Sequence, residues 1–291
     1  MQIGVTFPQT EIGTDPDGVR TYAQAAEDMG YAHVLAFDHV VGADTTNRPD
    51  FRGPYNLHTP FHEPFVLFGY LAGVTQSLEL VTGIIILPQR QTVLAAKQAT
   101  EVDVLNRGRF RLGIGIGWND VEYQALGQDF RTRGKRSEEQ IRLLRRLFSE
   151  ESVTFHGRWD TVEAAGLNPM PVRRSIPIWI GGSSDATLRR VATLGDGWFP
   201  QMLPEQAGDK LDRLRSYARE AGRDPNDIGI EARVNIRGKE PNEWRREVEA
   251  WQELGATHLA VNTMNDGLSG PEAHIDAIQR FRDAVFPVLT H

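Results

Sequence analysis

Along its whole length the chain alternates short apolar runs with longer amphipathic ones, and this alternation limits the fold more than any single motif. The short runs predict strands at residues 2–7, 33–37, 80–86, 109–116, 176–180, 197–201, 228–234 and 258–263. The longer runs predict helices at 16–29, 64–76, 93–105, 136–148, 186–194, 204–221, 241–254 and 271–284. Gly30, Gly195, Gly222 and Gly255 follow helices as stop signals. Pro204, Pro241 and Pro271 stand where helices open and a missing N–H costs nothing. These β-α units in series argue for a closed (β/α)8 TIM barrel rather than an open doubly wound sheet. Two insertions interrupt the series. One, 41–63, follows strand 2. The other, 149–175, precedes strand 5 and carries a hairpin pattern around 153–162. No linker or low-complexity tract divides the chain, so residues 1–291 are expected to form a single domain.

Composition narrows the function classes. A chain with 40% hydrophobic and 24% charged residues reads as a globular protein. No apolar run is long enough to span a bilayer, and the N-terminus M-Q-I-G-V-T-F-P is too short and interrupted for a signal peptide. The expectation is a cytoplasmic protein with no membrane partner. A net charge of −7 argues against nucleic acid as a partner. The absence of cysteine removes disulfides, thiolate catalysis and zinc-thiolate sites. Lys97, Lys135, Lys210 and Lys239 all lie away from strand ends, which argues against Schiff-base chemistry.

In a barrel of this kind the active site sits at the C-terminal ends of the strands. Strand 4, within N-R-G-R-F-R-L-G-I-G-I-G-W-N, puts Gly113, Gly115 and Gly117 on one face. Glycine weakens a strand, so a run of them signals either tight packing against another strand or a flat ligand at the strand's end. Trp118 stands where a dinucleotide fingerprint would need glycine. Strand 2 ends in Asp38-His39, which reads either as an oriented imidazole or as a polar loop start. In strand 3, Gly83 interrupts a β-branched run and suggests a bulge. Arg90 beyond it reads as a ligand contact or as a structural ion-pair partner. After strand 5, Gly181-Gly182-Ser183-Ser184-Asp185 opens a helix, either as a phosphate site at its N-terminus or as an ordinary capped turn. The loop 42–62 carries Phe51, Tyr55, Phe61, Arg48 and Arg52 and has the length of a lid or binding loop. His58 and His62 are separated by Pro60, so no helix aligns them, and no metal site is expected.

Taken in order, these segments resemble the luciferase-like monooxygenase superfamily. The resemblance is carried by F-D-H-V at 37–40, T-G-I-I-I-L-P-Q-R at 82–90 and L-A-A-K-Q-A-T-E-V-D-V-L-N-R-G-R at 94–109. It continues through the glycine strand, A-L-G-Q-D-F-R-T-R-G-K-R at 125–136, I-P-I-W-I-G-G-S-S-D-A-T-L-R-R at 176–190 and L-G-D-G-W at 194–198. It covers residues 1–200 well and the last third weakly, and it points most to the branch of coenzyme F420-dependent oxidoreductases.

The resemblance implies a deazaflavin, coenzyme F420, at the barrel mouth, with FMN as the alternative. It implies a bulge with a non-proline cis peptide at Gly83-Ile84 behind the ring, and His39 beside ring and substrate. Gly181, Gly182 and Ser183 would hold the phosphate, while Gly115 and Gly117 leave room beside the ring. Asp38 and Trp118 complete the implied cofactor-binding set. A small-molecule substrate and a homodimer are implied as well. The sequence departs from its sugar-phosphate-oxidising relatives at Trp118, where they carry an acid. Glu122, four residues on, is given no such role, and no acid is assigned. Three readings therefore stand side by side: hydride transfer with F420, an FMN-dependent monooxygenase using oxygen, and a flavin or deazaflavin carrier without turnover. A metal-assisted hydrolase lacks a ligand set.

Overall fold

The apolar runs pair edge to edge in a computed structural model that describes residues 1–289. Its strands are β1 (Gln2–Thr6), β2 (His33–Ala36), β3 (Glu79–Thr82), β4 (Ile85–Ile86), β5 (Phe110–Gly115), β6 (Val153–His156), β7 (Thr161–Ala165), β8 (Ile178–Gly181), β9 (Gly197–Phe199), β10 (Gly229–Asn235) and β11 (His258–Asn262). Apart from the antiparallel β6–β7 hairpin, every pairing is parallel. The order β3-β2-β1-β11-β10-β9-β8-β5-β4 closes through a further β3–β5 pairing, and β3 and β4 are halves of one barrel position. The result is the (β/α)8 barrel the alternation predicts.

The helices are α1 (Pro16–Asp28), α2 (Pro64–Val74), α3 (Thr92–Leu105), α4 (Asp120–Ala125), α5 (Arg133–Ser149), α6 (Asp185–Leu194), α7 (Gly208–Glu220), α8 (Pro241–Glu253) and α9 (Gly270–Leu289). Both insertions fall where the pattern broke, and the second carries the β6–β7 hairpin. Four details differ from the sequence reading. Strand 3 is broken in two around Gly83. The short helix α4 was not anticipated, because six residues carry too little periodicity. Pro204 opens a separate 3-10 turn, and α7 starts only at Gly208. Gly195 ends α6 at a φ of −91°, outside the left-handed region of a glycine stop, where a Cβ would crowd the Val191 backbone.

Inside the barrel the side chains stack in layers. The lowest is charged. Arg111 pairs with Glu231 at 2.6 Å and with Glu79 at 2.9 Å, and it lies 4.3 Å from the Trp179 ring centroid. His33 meets the other oxygen of Glu231 at 2.8 Å. Burial would raise the Glu231 carboxyl, but the charges of Arg111 and His33 outweigh it and bring it down to about 2. Burial first, and Arg111 second, pull His258 down to about 3. Above this layer Leu35, Val81, Trp179, Phe199 and Ala260 form an apolar plug. The mouth of the barrel lies beyond it.

Candidate active site

The C-terminal mouth holds a cavity of about 470 Å³. Every site residue taken from the sequence lines it: Asp38, His39, Gly83, Ile84, Gly115, Gly117, Trp118, Gly181, Gly182 and Ser183. Phe37, Thr187 and Arg233 line it too and were missed, and Tyr55 reaches it from the loop that the sequence marks as a lid or binding loop. Tyr55 needs the loop to fold back. The signal for Arg233 was present: Glu231 and Arg233 alternate with Ile230, Ala232 and Val234, whereas a strand buried on both faces reads as apolar throughout.

One wall is built from the break in strand 3. Val81 pairs with Arg111, and Ile85 pairs with Ile114, so four residues advance on one strand against three on the other. That extra residue is a bulge. The Gly83-Ile84 peptide within it is cis. The bulge pushes Ile84 over β5 and β8, and the glycines there make space for it. A Cβ on Gly115 would run into the Ile84 side chain, and one on Gly181 would come within 3.1 Å of it. A Cβ on Gly113 would overlap the Thr82 carbonyl oxygen. Close packing against the neighbouring strand thus accounts for the glycine face of β5, and Ile84 lines the cavity beside Gly115 and Gly117.

His39 stands opposite in an aromatic enclosure. Its ring lies 4.8 Å from Tyr55, 4.7 Å from Phe61 and 5.8 Å from Trp118. Tyr55 and Phe61 come from the 42–62 loop, which therefore folds onto the site. Glu122, from α4, orients the imidazole. Its Oε1 accepts from His39 Nδ1 at 3.0 Å and from Val40 N at 2.9 Å, and its Oε2 accepts from Gln89 at 3.2 Å. Burial would raise the Glu122 carboxyl, but these bonds outweigh it and hold it below the ordinary carboxylate value. The carboxylate fixes the proton of neutral His39 on Nδ1 and leaves Nε2 as an acceptor. Nε2 has no hydrogen-bond partner among the described residues.

The Asp38-His39 pair does not act as a pair. Asp38 accepts from Ile86 N at 2.9 Å and from Arg90 at 2.8 Å, and Arg90 also meets Glu63 at 2.9 Å. The structural reading of Arg90 holds: it fastens the β4 turn to the N-terminus of α2. Glu122, given no role from the sequence, does the orienting instead. A contact spanning 83 residues leaves no local trace.

The third wall is the N-terminus of α6. Ser184 caps it, accepting from Thr187 N at 3.2 Å. Gly182 has a φ of +122°, a conformation open to glycine, and its carbonyl accepts from Trp198 Nε1 at 2.7 Å. Because Ser184 supplies the cap, Ser183 stays available at the cavity wall. The turn is capped and also faces the cavity, with free N–H groups and the positive end of the helix dipole.

A closed barrel with its cavity at this mouth places the chain among (β/α)8 barrel proteins. The luciferase-like monooxygenase family model matches residues 1–284, and the chain belongs to that family. An uncharacterised protein of Mycobacterium tuberculosis is 34% identical over 213 residues, 72% of each chain. The FMNH(2)-dependent dimethylsulfone monooxygenase of Pseudomonas putida is 30% identical over 271 residues, 89% of this chain and 69% of the relative. An F420-dependent secondary alcohol dehydrogenase, solved with an F420-acetone adduct, superposes with a TM-score of 0.80 over 98% of both chains; at 18% identity it shows a shared fold.

Proposed function

We propose that the chain is an F420-dependent oxidoreductase acting on a small organic substrate. The observation that carries this reading is His39, held by Glu122 as a proton acceptor of fixed tautomer and lining the same cavity as the apolar Ile84 side chain and the α6 N-terminus. The residues suit a cofactor of this kind. Ile84 supplies an apolar face, and the N–H groups from Ser183 to Asp185 suit a phosphate. A bound deazaflavin supplies hydride chemistry. The chain's part is to hold a proton at His39 Nε2, to stabilise the resulting imidazolium through Glu122, and to exclude water with Tyr55, Phe61 and Trp118.

The second reading is an FMN-dependent monooxygenase, favoured by the 30% identity to the dimethylsulfone enzyme. A carrier without turnover is the third. Fluorescence titration with F420, oxidised FMN and reduced FMN separates them. F420 binding is expected; reduced-FMN binding without F420 binding would move the assignment to the second reading. His39→Ala should lower turnover by about 10²-fold or more while changing cofactor affinity little. A homodimer of cytoplasmic location belongs to the same reading, and sedimentation of the purified chain tests the dimer.

A further inference from the structure

Three guanidinium groups lie in or beside the barrel, and two of them are neutralised. Arg111 has Glu231 and Glu79. Arg90 has Asp38 and Glu63. Arg233, on β10, is half-buried and has neither an ion pair nor a hydrogen bond to any described residue; its Nε lacks a partner, as do those of Arg90 and Arg111, but they have carboxylates and it has none. Glu231, two residues below it on the same strand, has both oxygens taken by His33 and Arg111. Around the guanidinium stand the Phe37 ring, 5.4 Å away, and Tyr55. Burial pulls the Arg233 pKa below the ordinary arginine value, with Tyr55 acting weakly the other way. The side chain lines the same cavity as His39.

A half-buried charge without a partner carries a desolvation cost and leaves its N–H donors open to a ligand in the cavity. An aromatic ring offsets part of that cost but takes none of the guanidinium's N–H donors. We propose that Arg233 is the substrate-recognition residue of this cavity, and that the substrate is a small organic anion whose carboxylate it binds. The proposal rests on the oxidoreductase reading for the word substrate, and on the unpaired charge alone for the anion. A planar guanidinium presents two parallel donors to a carboxylate, which a neutral carbonyl cannot match.

The test compares benzoate with benzamide, a neutral probe of nearly the same shape, by calorimetry on the full chain with and without bound cofactor. Benzoate should bind at least about tenfold more tightly. Arg233→Met should abolish that preference, and Arg233→Lys should keep it at lower affinity. Equal binding of the two probes, no saturable benzoate binding, or a preference that survives Arg233→Met would each overturn the proposal. So would an Arg233→Met variant that loses cofactor affinity but keeps benzoate, since the anion would then be the cofactor's. A failed F420 titration leaves the comparison intact, because the cofactor-free chain is measured as well.

Discussion

Replacing Glu122 by glutamine removes one charge and almost no volume, and the structure sets both the sign and the size of the effect. The carboxylate accepts from His39 Nδ1, Val40 N and Gln89 Nε2. A glutamine can turn its oxygen toward His39 and Val40 and keep two bonds without charge assistance. Its NH2 then faces the NH2 of Gln89, two donors in opposition. Bonds to a charged group are worth about 1.5–3 kcal/mol and neutral ones about half that. Relief of carboxylate burial offsets part of the loss. The expected net destabilisation is about 1–2 kcal/mol at neutral pH, or roughly 3–6 °C in Tm. Because Glu122 has its pKa lowered by folding, its contribution is complete above the unfolded carboxylate pKa and is lost as pH falls through the folded one. The gap between wild type and Glu122→Gln should therefore close on acidification. Urea unfolding of both proteins at a series of pH values measures it, and ¹⁵N imidazole spectra report whether His39 keeps its proton on Nδ1. Equal stability at neutral pH, or a gap that widens in acid, would refute the assignment of Glu122 as the partner that fixes His39.

Three further outcomes follow from the packing in and beneath the cavity. Gly113→Ala, which drives a Cβ into the Thr82 carbonyl, should cost about 3 kcal/mol in denaturant unfolding. Gly115→Ala meets only the Ile84 side chain, so it should cost less, and the Gly115→Ala/Ile84→Ala double variant should fall short of the sum of its singles. Asp38→Asn breaks the buried pair with Arg90 and should destabilise by about 2–4 kcal/mol with cofactor affinity unchanged within about threefold. Reduced affinity at unchanged stability would show Asp38 to be a ligand contact instead.

The barrel was legible because its signal is periodic and repeated at each unit, so an error of a few residues at one strand leaves the series intact. The rim was legible for a related reason: once the strands are ordered, their C-terminal ends must meet, and His39, Gly83, Gly117 and Gly182 all lie at such ends. What escaped was pairing across the chain. Asp38 and His39 are adjacent in sequence, yet the first bonds Arg90 and the second bonds Glu122. The glycines of β5 announced that something lies close to the strand, but the sequence could not show that it is the displaced Ile84. Arg233 was overlooked because a charge inside a strand is ordinarily assigned to a solvent-facing side, and a closed barrel reverses that assignment.

The charged floor and the apolar plug above it decide from which side the cavity is reached. Arg111, Glu231 and Trp179 are buried beneath it, so a molecule arrives at Ile84 and His39 from the rim and leaves on the same side. The 42–62 loop, which lays Tyr55 and Phe61 beside His39, is then the segment that shapes that approach.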